Sequence, residues 1–171
     1  MKIKKIIIVL LLCFLPIASF AQKVGETLPA WEEGYMDIHH INTGCGECAY
    51  IILPDGTTML IDAGENKAGN PRHVSPKPNA SRTPGEWIVD YIKTMAPVQK
   101  QKLDYALITH FHSDHMGGVL KMKNESGRYY NTGIITVAEN LQIGMLVDRG
   151  FPDYNFLVNT EDKMIKNYFN F

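Results

Sequence analysis

Three of the chain's six histidines fall within six residues, as His110-Phe111-His112-Ser113-Asp114-His115. Buried imidazoles without partners are costly, and three together repel one another once protonated. A shared metal ion therefore explains the clustering better than a polar loop that happens to be rich in histidine. On an extended or turning segment His110 and His112 project to one side and can meet one ion, while Asp114 and His115 can face a second beside it. Neutral imidazole and carboxylate are ligand types suited to zinc, at about 2.0–2.2 Å. Gly117-Gly118 follow, and let the backbone turn tightly under an ion with no Cβ in the way.

The segments around this run read as alternating strand and helix. Residues 35–42, 49–53 and 58–61 are short, apolar and β-branched, with Pro54-Asp55-Gly56 between the last two as a hairpin turn. The chain leaves the third strand at Asp62-Ala63-Gly64, and residues 66–82 form a long irregular stretch rich in Pro, Asn, Ser and Lys. A helix then begins with Thr83 as N-cap, Pro84 at N1 and Glu86 placed to complete a capping box. Trp87, Ile88, Tyr91, Ile92 and Met95 fall on one face at helical spacing, which reads as a packing stripe, and Pro97 ends the helix. Residues 103–109 form a strand that delivers the histidine run at its C-terminal end. Beyond Gly118 the pattern predicts a short helix over 119–123, a loop, a strand near 141–147 and a terminal helix over 160–171.

The first residues stand apart. Lys2, Lys4 and Lys5 precede an unbroken apolar run of ten, residues 6–15, and Ser19-Phe20-Ala21 offers small residues for cleavage. This is a secretory signal over residues 1–21, followed by one domain over 22–171, and it predicts a periplasmic or secreted protein with no stable membrane span after cleavage. Cys13 follows Leu12 where a lipoprotein signal would want a small residue, so lipid attachment is not expected. The remaining 171 − 21 = 150 residues are enough for a single core. A net charge of −1 exerts no global pull on nucleic acid or acidic membranes.

Thr109-His110-Phe111-His112-Ser113-Asp114-His115-Met116-Gly117-Gly118 resembles the T-H-x-H-x-D-H-x-G-G signature of the metallo-β-lactamase superfamily. Residues 36–64 (MDIHHINTGCGECAYIILPDGTTMLIDAG) are similar to the opening hairpin of the branch that includes the hydrolase domains of DNA-uptake competence proteins. The likeness spans about residues 35–150. It implies an α/β fold, the αββα sandwich of the metallo-β-lactamases, with the metal loop at the C-terminal edge of a strand. It further implies that His110 and His112 bind a first zinc and Asp114 and His115 a second, with Asp62 orienting the ligand loop from behind. The chemistry implied is hydrolysis by water activated between two zinc ions, Asp114 also serving as a proton shuttle.

Members of this family complete their sites with a further His, a bridging Asp and a final His well downstream. No histidine follows His115, and Asp148 and Asp153, the nearest later carboxylates, sit in no recognisable bridging context. The expectation is accordingly the N-terminal half of such a domain. Asn42, Cys45 and Glu47 stand where the related branch tends to show Asp, Gln and Asp, which counts against a nucleic-acid or phosphodiester preference. A small molecule or a phosphodiester is the substrate class expected. Two other readings stay open: a non-catalytic metal-binding module, and an inactive remnant.

Cys45 and Cys48 form a C-x-x-C pair that admits a disulfide, a redox pair, half of a zinc site or two idle thiols. His39 and His40 lie on a strand and point to opposite faces, one of them able to approach the metal cleft. His73 lies in the Pro-rich loop, solvated or reaching substrate, and Lys121 and Lys123 read as a wet helix end.

Overall fold

The computed structural model describes residues 24–65, 71, 73–98, 100–118, 123–155 and 159–171. The predicted leader and its cleavage point after Ala21 lie outside the described residues, as does residue 119–122 of the predicted short helix. No helix among the described residues is long and apolar enough to cross a membrane.

Five strands form one mixed sheet in the order β1-β2-β3-β4-β5. β1 (Asp37–His40), β2 (Ala49–Ile52) and β3 (Thr58–Ile61) make an antiparallel meander, with Asp37 opposite Ile52 and Ile52 opposite Thr58. The Pro54-Asp55-Gly56 turn closes as expected: Gly56 donates to the Leu53 carbonyl at 2.8 Å, and Leu53 to that of Thr57 at 2.8 Å. β4 (Lys102–Ile108) joins β3 in parallel after helix α1 (Pro84–Met95). β5 (Gln142–Asp148) joins β4 in parallel after α2 (Ser113–Met116) and α3 (Gly133–Asn140). α4 (Lys163–Asn170) follows, capped by the Asp162 carboxylate, which accepts from the Met164 and Ile165 N–H groups. Parallel neighbours require such helical crossovers, and this places the C-terminal ends of β3, β4 and β5 at one edge of the sheet.

α1 starts as its sequence dictates. The Thr83 hydroxyl accepts from the Glu86 N–H at 3.3 Å, and the Glu86 carboxylate accepts from the Thr83 N–H at 2.7 Å. Its buried side is centred on Ile88, Val89, Ile92 and Met95. Trp87 is displaced to the margin, where its indole donates to the Asn79 carbonyl and Arg82 lies over its ring. α1 crosses α3 closely at Gly85, where a Cβ would stand 2.8 Å from that of Thr136.

α3 corrects the reading of residues 124–140 as loop. Ile134, Ile135, Thr136 and Val137 are a β-branched run that argues locally against helix. All four are buried, the two isoleucines and the valine in the main core cluster, and tertiary burial overrides the local preference. Lys123, placed in the short helix by its sequence, instead pairs with Tyr130 in an isolated bridge.

One face of the sheet presents Tyr50, Ile52, Leu60, Ala106 and Ile108, all buried in the core that includes α1 and α3 residues. By alternation the other face carries Ile38, Ile51, Met59, Ile61, Tyr105, Leu107, Met145 and Val147. Ile38 and Met145 are 50% and 56% exposed there. An apolar sheet face of this kind is what a second sheet packs on in a sandwich. Among the described residues the fold is thus α/β, with one helical and one sheet layer of the αββα arrangement.

At the edge away from the histidines, Asp104 ties β3 to β4. It accepts from the Thr58 N–H at 2.8 Å and from Lys100 at 2.7 Å, with Lys102 3.2 Å away. Partial burial pushes this carboxyl up, but the bonds from Lys100, Thr58 and Lys102 outweigh it and hold it well below the ordinary carboxylate range. A depressed folded-state value means that the stabilisation is present above about pH 4, the unfolded value, and is lost as pH falls further. Asp104→Asn should therefore flatten the loss of stability between about pH 4 and pH 2 in denaturant melts. Parallel wild-type and variant curves would contradict that role.

Candidate metal centre

β4 ends at Ile108, and the chain passes through Thr109 and the histidine run into α2, whose N-cap position is His112. The loop is held from below by backbone. Ala63 donates to the His115 carbonyl at 2.6 Å, Glu65 to that of Ser113 at 3.1 Å, and Glu47 to that of Asp114 at 2.8 Å. Gly64 donates to the Glu47 carbonyl at 3.0 Å, so the β1–β2 loop and the Asp62-Ala63-Gly64 turn brace each other as well as the metal loop. Gly46 and Gly64 both press on the Asp114 carbonyl group so closely that a Cβ at either position would overlap its oxygen.

On this support the side-chain donors of His110, His112 and Asp114 converge, all within 4.8 Å of one another. His110 and Asp114 are half-buried and His112 is exposed. Donors sharing one zinc at 2.0–2.2 Å stand about 3.5 Å apart, so the set needs to close by roughly an ångström, the scale of a small side-chain rotation. Burial lowers the proton affinity of His110, as do the neighbouring His115 and His112 rings, against the opposing pull of Asp62 and Asp114. The outcome favours the neutral imidazole that ligates metal.

His115 lies beside this trio. Its ring centroid is 3.8 Å from that of His110, and its Nε2 is 3.9 Å from Asp114 Oδ2. Its Nδ1 is 2.8 Å from Asp62 Oδ2. An ionised carboxylate can only accept, so Nδ1 donates in this contact and Nε2 is the ring nitrogen that faces Asp114 and is left for a metal. Asp62 is 1% exposed with a positive φ of 60°, a backbone state that Asp tolerates better than most residues. It also accepts from the Thr109 N–H at 2.8 Å and from the Thr109 hydroxyl at 2.7 Å.

The model of the metallo-beta-lactamase superfamily matches residues 42–127, from the β1–β2 loop through the histidine run. The chain belongs to the metallo-β-lactamase superfamily. No curated protein gives a significant match. Domains of the metallo-β-lactamase superfamily are often metal-dependent hydrolases, and the His110-His112-Asp114 group is where such a domain would hold an ion.

The remaining sequence signals fall elsewhere. Cys45 and Cys48 carry free thiols in this structure. Cys48 is 2% exposed and committed to the core, while Cys45 sits half-buried in the loop. Burial, with Asp62 and Glu47 nearby, pushes the Cys48 thiol up and leaves it a poor nucleophile. His39 packs between the rings of Tyr50 and Tyr91 and lies 3.1 Å from the Tyr91 hydroxyl, a position under α1. His40 is exposed and His73 half-buried. Lys121 lies outside the described residues, and Lys123 sits over the Tyr130 ring.

Two contributors escaped the sequence reading. Thr109 was visible in the motif, but its hydroxyl's role beside Asp62 depends on two segments 47 residues apart. The bracing by Gly46 and Gly64 is equally non-local. Asp148, one of the later carboxylates noted in the sequence, accepts from Tyr154 and Tyr168 and from two loop N–H groups.

Proposed function

We propose that this chain carries the metal-binding loop of an exported, zinc-dependent hydrolase that uses two metal ions and acts on a small molecule or a phosphodiester. The observation that supports it best is the convergence of His110, His112 and Asp114 beside a His115 whose tautomer Asp62 sets. His110 and His112 would hold one zinc; Asp114 and His115 would hold the second. Zinc bound there supplies Lewis acidity toward a substrate oxygen and a water acidic enough to react near neutral pH. Asp114, half-buried beside these histidines, would take up at a carboxylate oxygen the proton lost by an attacking water and return it to the leaving group. Asp62, through His115 Nδ1, keeps the Nε2 lone pair turned toward the site. Export is supported by the basic, apolar and small-residue order of residues 1–21.

A second reading, a module that binds metal without catalysis, is favoured by the fact that all three converging donors come from five consecutive residues. Calorimetric zinc titration together with turnover on ester, lactone, phosphodiester and β-lactam substrates separates the two. The hydrolase reading expects two zinc ions per chain and turnover that falls by about 100-fold or more on chelation and in His112→Ala. A single weak site with no turnover would favour the module. Turnover that survives both chelation and the substitution would refute the proposed chemistry.

A further inference from the structure

Phe111 separates the two converging histidines, and its ring is 8% exposed. It packs against Tyr168 of α4 and Tyr154 of the loop after β5, with centroids 5.4 and 6.0 Å away. Both tyrosine hydroxyls donate to one oxygen of Asp148, at 2.8 and 2.7 Å. The other oxygen accepts from the N–H groups of Gly150 and Phe151, each at 2.9 Å. Asp148 is the last residue of β5 and pairs with Ile108, the last of β4, only two residues before His110. Gly150 lies so close beneath Tyr154 that a Cβ there would overlap the ring.

We propose that Asp148 is a positioning residue of the metal centre, acting through Tyr154 and Tyr168 on Phe111 and so on the spacing of His110 and His112. Four donors converge on one carboxylate, and two of them, Tyr168 of α4 and Tyr154 of the loop after β5, pack on the single ring that lies between His110 and His112. Displacement of the packed Phe111 ring is passed on to the backbone that bears both imidazoles, because packed interiors transmit strain. Asp148→Asn keeps the size of the side chain but replaces one acceptor oxygen with an amide that cannot accept from a hydroxyl. Partial burial pushes the Asp148 carboxyl up, and the bonds from Phe151, Tyr154, Gly150 and Tyr168 outweigh that, consistent with a carboxylate serving four donors.

The inference rests on the metal-site reading above, and the experiment separates the two. The full chain, with Asp148→Asn, Tyr154→Phe and Asp104→Asn, is titrated with zinc and loaded with cobalt(II), whose visible spectrum reports ligand geometry. Asp104 lies at the opposite end of β4 and serves as a control for lost stability alone. The expectation is zinc affinity about 10-fold or more weaker and an altered cobalt spectrum in Asp148→Asn. Tyr154→Phe should show the same change in smaller measure, and Asp104→Asn should melt earlier with wild-type affinity and spectrum. Wild-type affinity and spectrum in both Asp148→Asn and Tyr154→Phe would overturn the inference, as would equal losses in Asp104→Asn. A wild-type chain that takes up neither ion would instead overturn the metal-site reading and this inference with it.

Discussion

Asp62→Ala is expected to weaken zinc binding by about 10- to 100-fold and to destabilise the fold by roughly 3 kcal/mol. The carboxylate is almost wholly buried and accepts from the Thr109 N–H, the Thr109 hydroxyl and His115 Nδ1. Truncation strands all three donors and frees the His115 ring to rotate its Nε2 away from Asp114. Asp62→Asn keeps the volume and suits the positive φ, so it should recover part of the stability. Its amide cannot accept from every donor, so the metal affinity should stay low. Calorimetric zinc titration and thermal melts of the two variants read these quantities separately. Wild-type zinc affinity in Asp62→Ala would show that His115 needs no orientation from beneath.

Gly64→Ala should be comparably severe by a different route. The new Cβ would fall on the Asp114 carbonyl group and 3.1 Å from the Glu47 nitrogen, both of them backbone. Backbone cannot rotate out of the way, so the metal loop or the turn must move, at a cost of about 1–3 kcal/mol or more. Gly46→Ala meets the same carbonyl and adds the strain of a φ of 109°. Both variants should lose zinc affinity along with stability. Gly127→Ala, where a Cβ meets nothing within 4 Å, should leave zinc affinity at the wild-type level. Retained affinity in Gly64→Ala, measured by the same titration, would mean that the loop does not depend on this support.

These two predictions concern contacts invisible to a local reading of the chain, whereas much of the fold was legible. The capping box at Thr83, the Pro54-Asp55-Gly56 turn and the strand feeding His110 are each specified by neighbours a few residues apart. Short-range chemistry of that kind survives folding unchanged. α3 was illegible because its β-branched run resists helix, and burial beside α1 is what decides it. The same limit applies to the site. The donors His110, His112 and Asp114 are neighbours in sequence, but their supports come from Glu47, Asp62, Gly64 and Asp148, and only the folded chain brings these together. The C-x-x-C spacing says nothing of burial, and only the fold shows that Cys48 lies in the core while Cys45 is half-buried in the loop.

X-ray absorption at the zinc edge of the zinc-loaded full chain is the most direct measurement of who holds the ion. The account predicts a nitrogen and oxygen shell at about 2.0–2.2 Å with the outer scattering of at least two imidazoles. A sulfur shell near 2.3 Å, drawn from Cys45 and Cys48, or a spectrum without imidazole scattering, would contradict it.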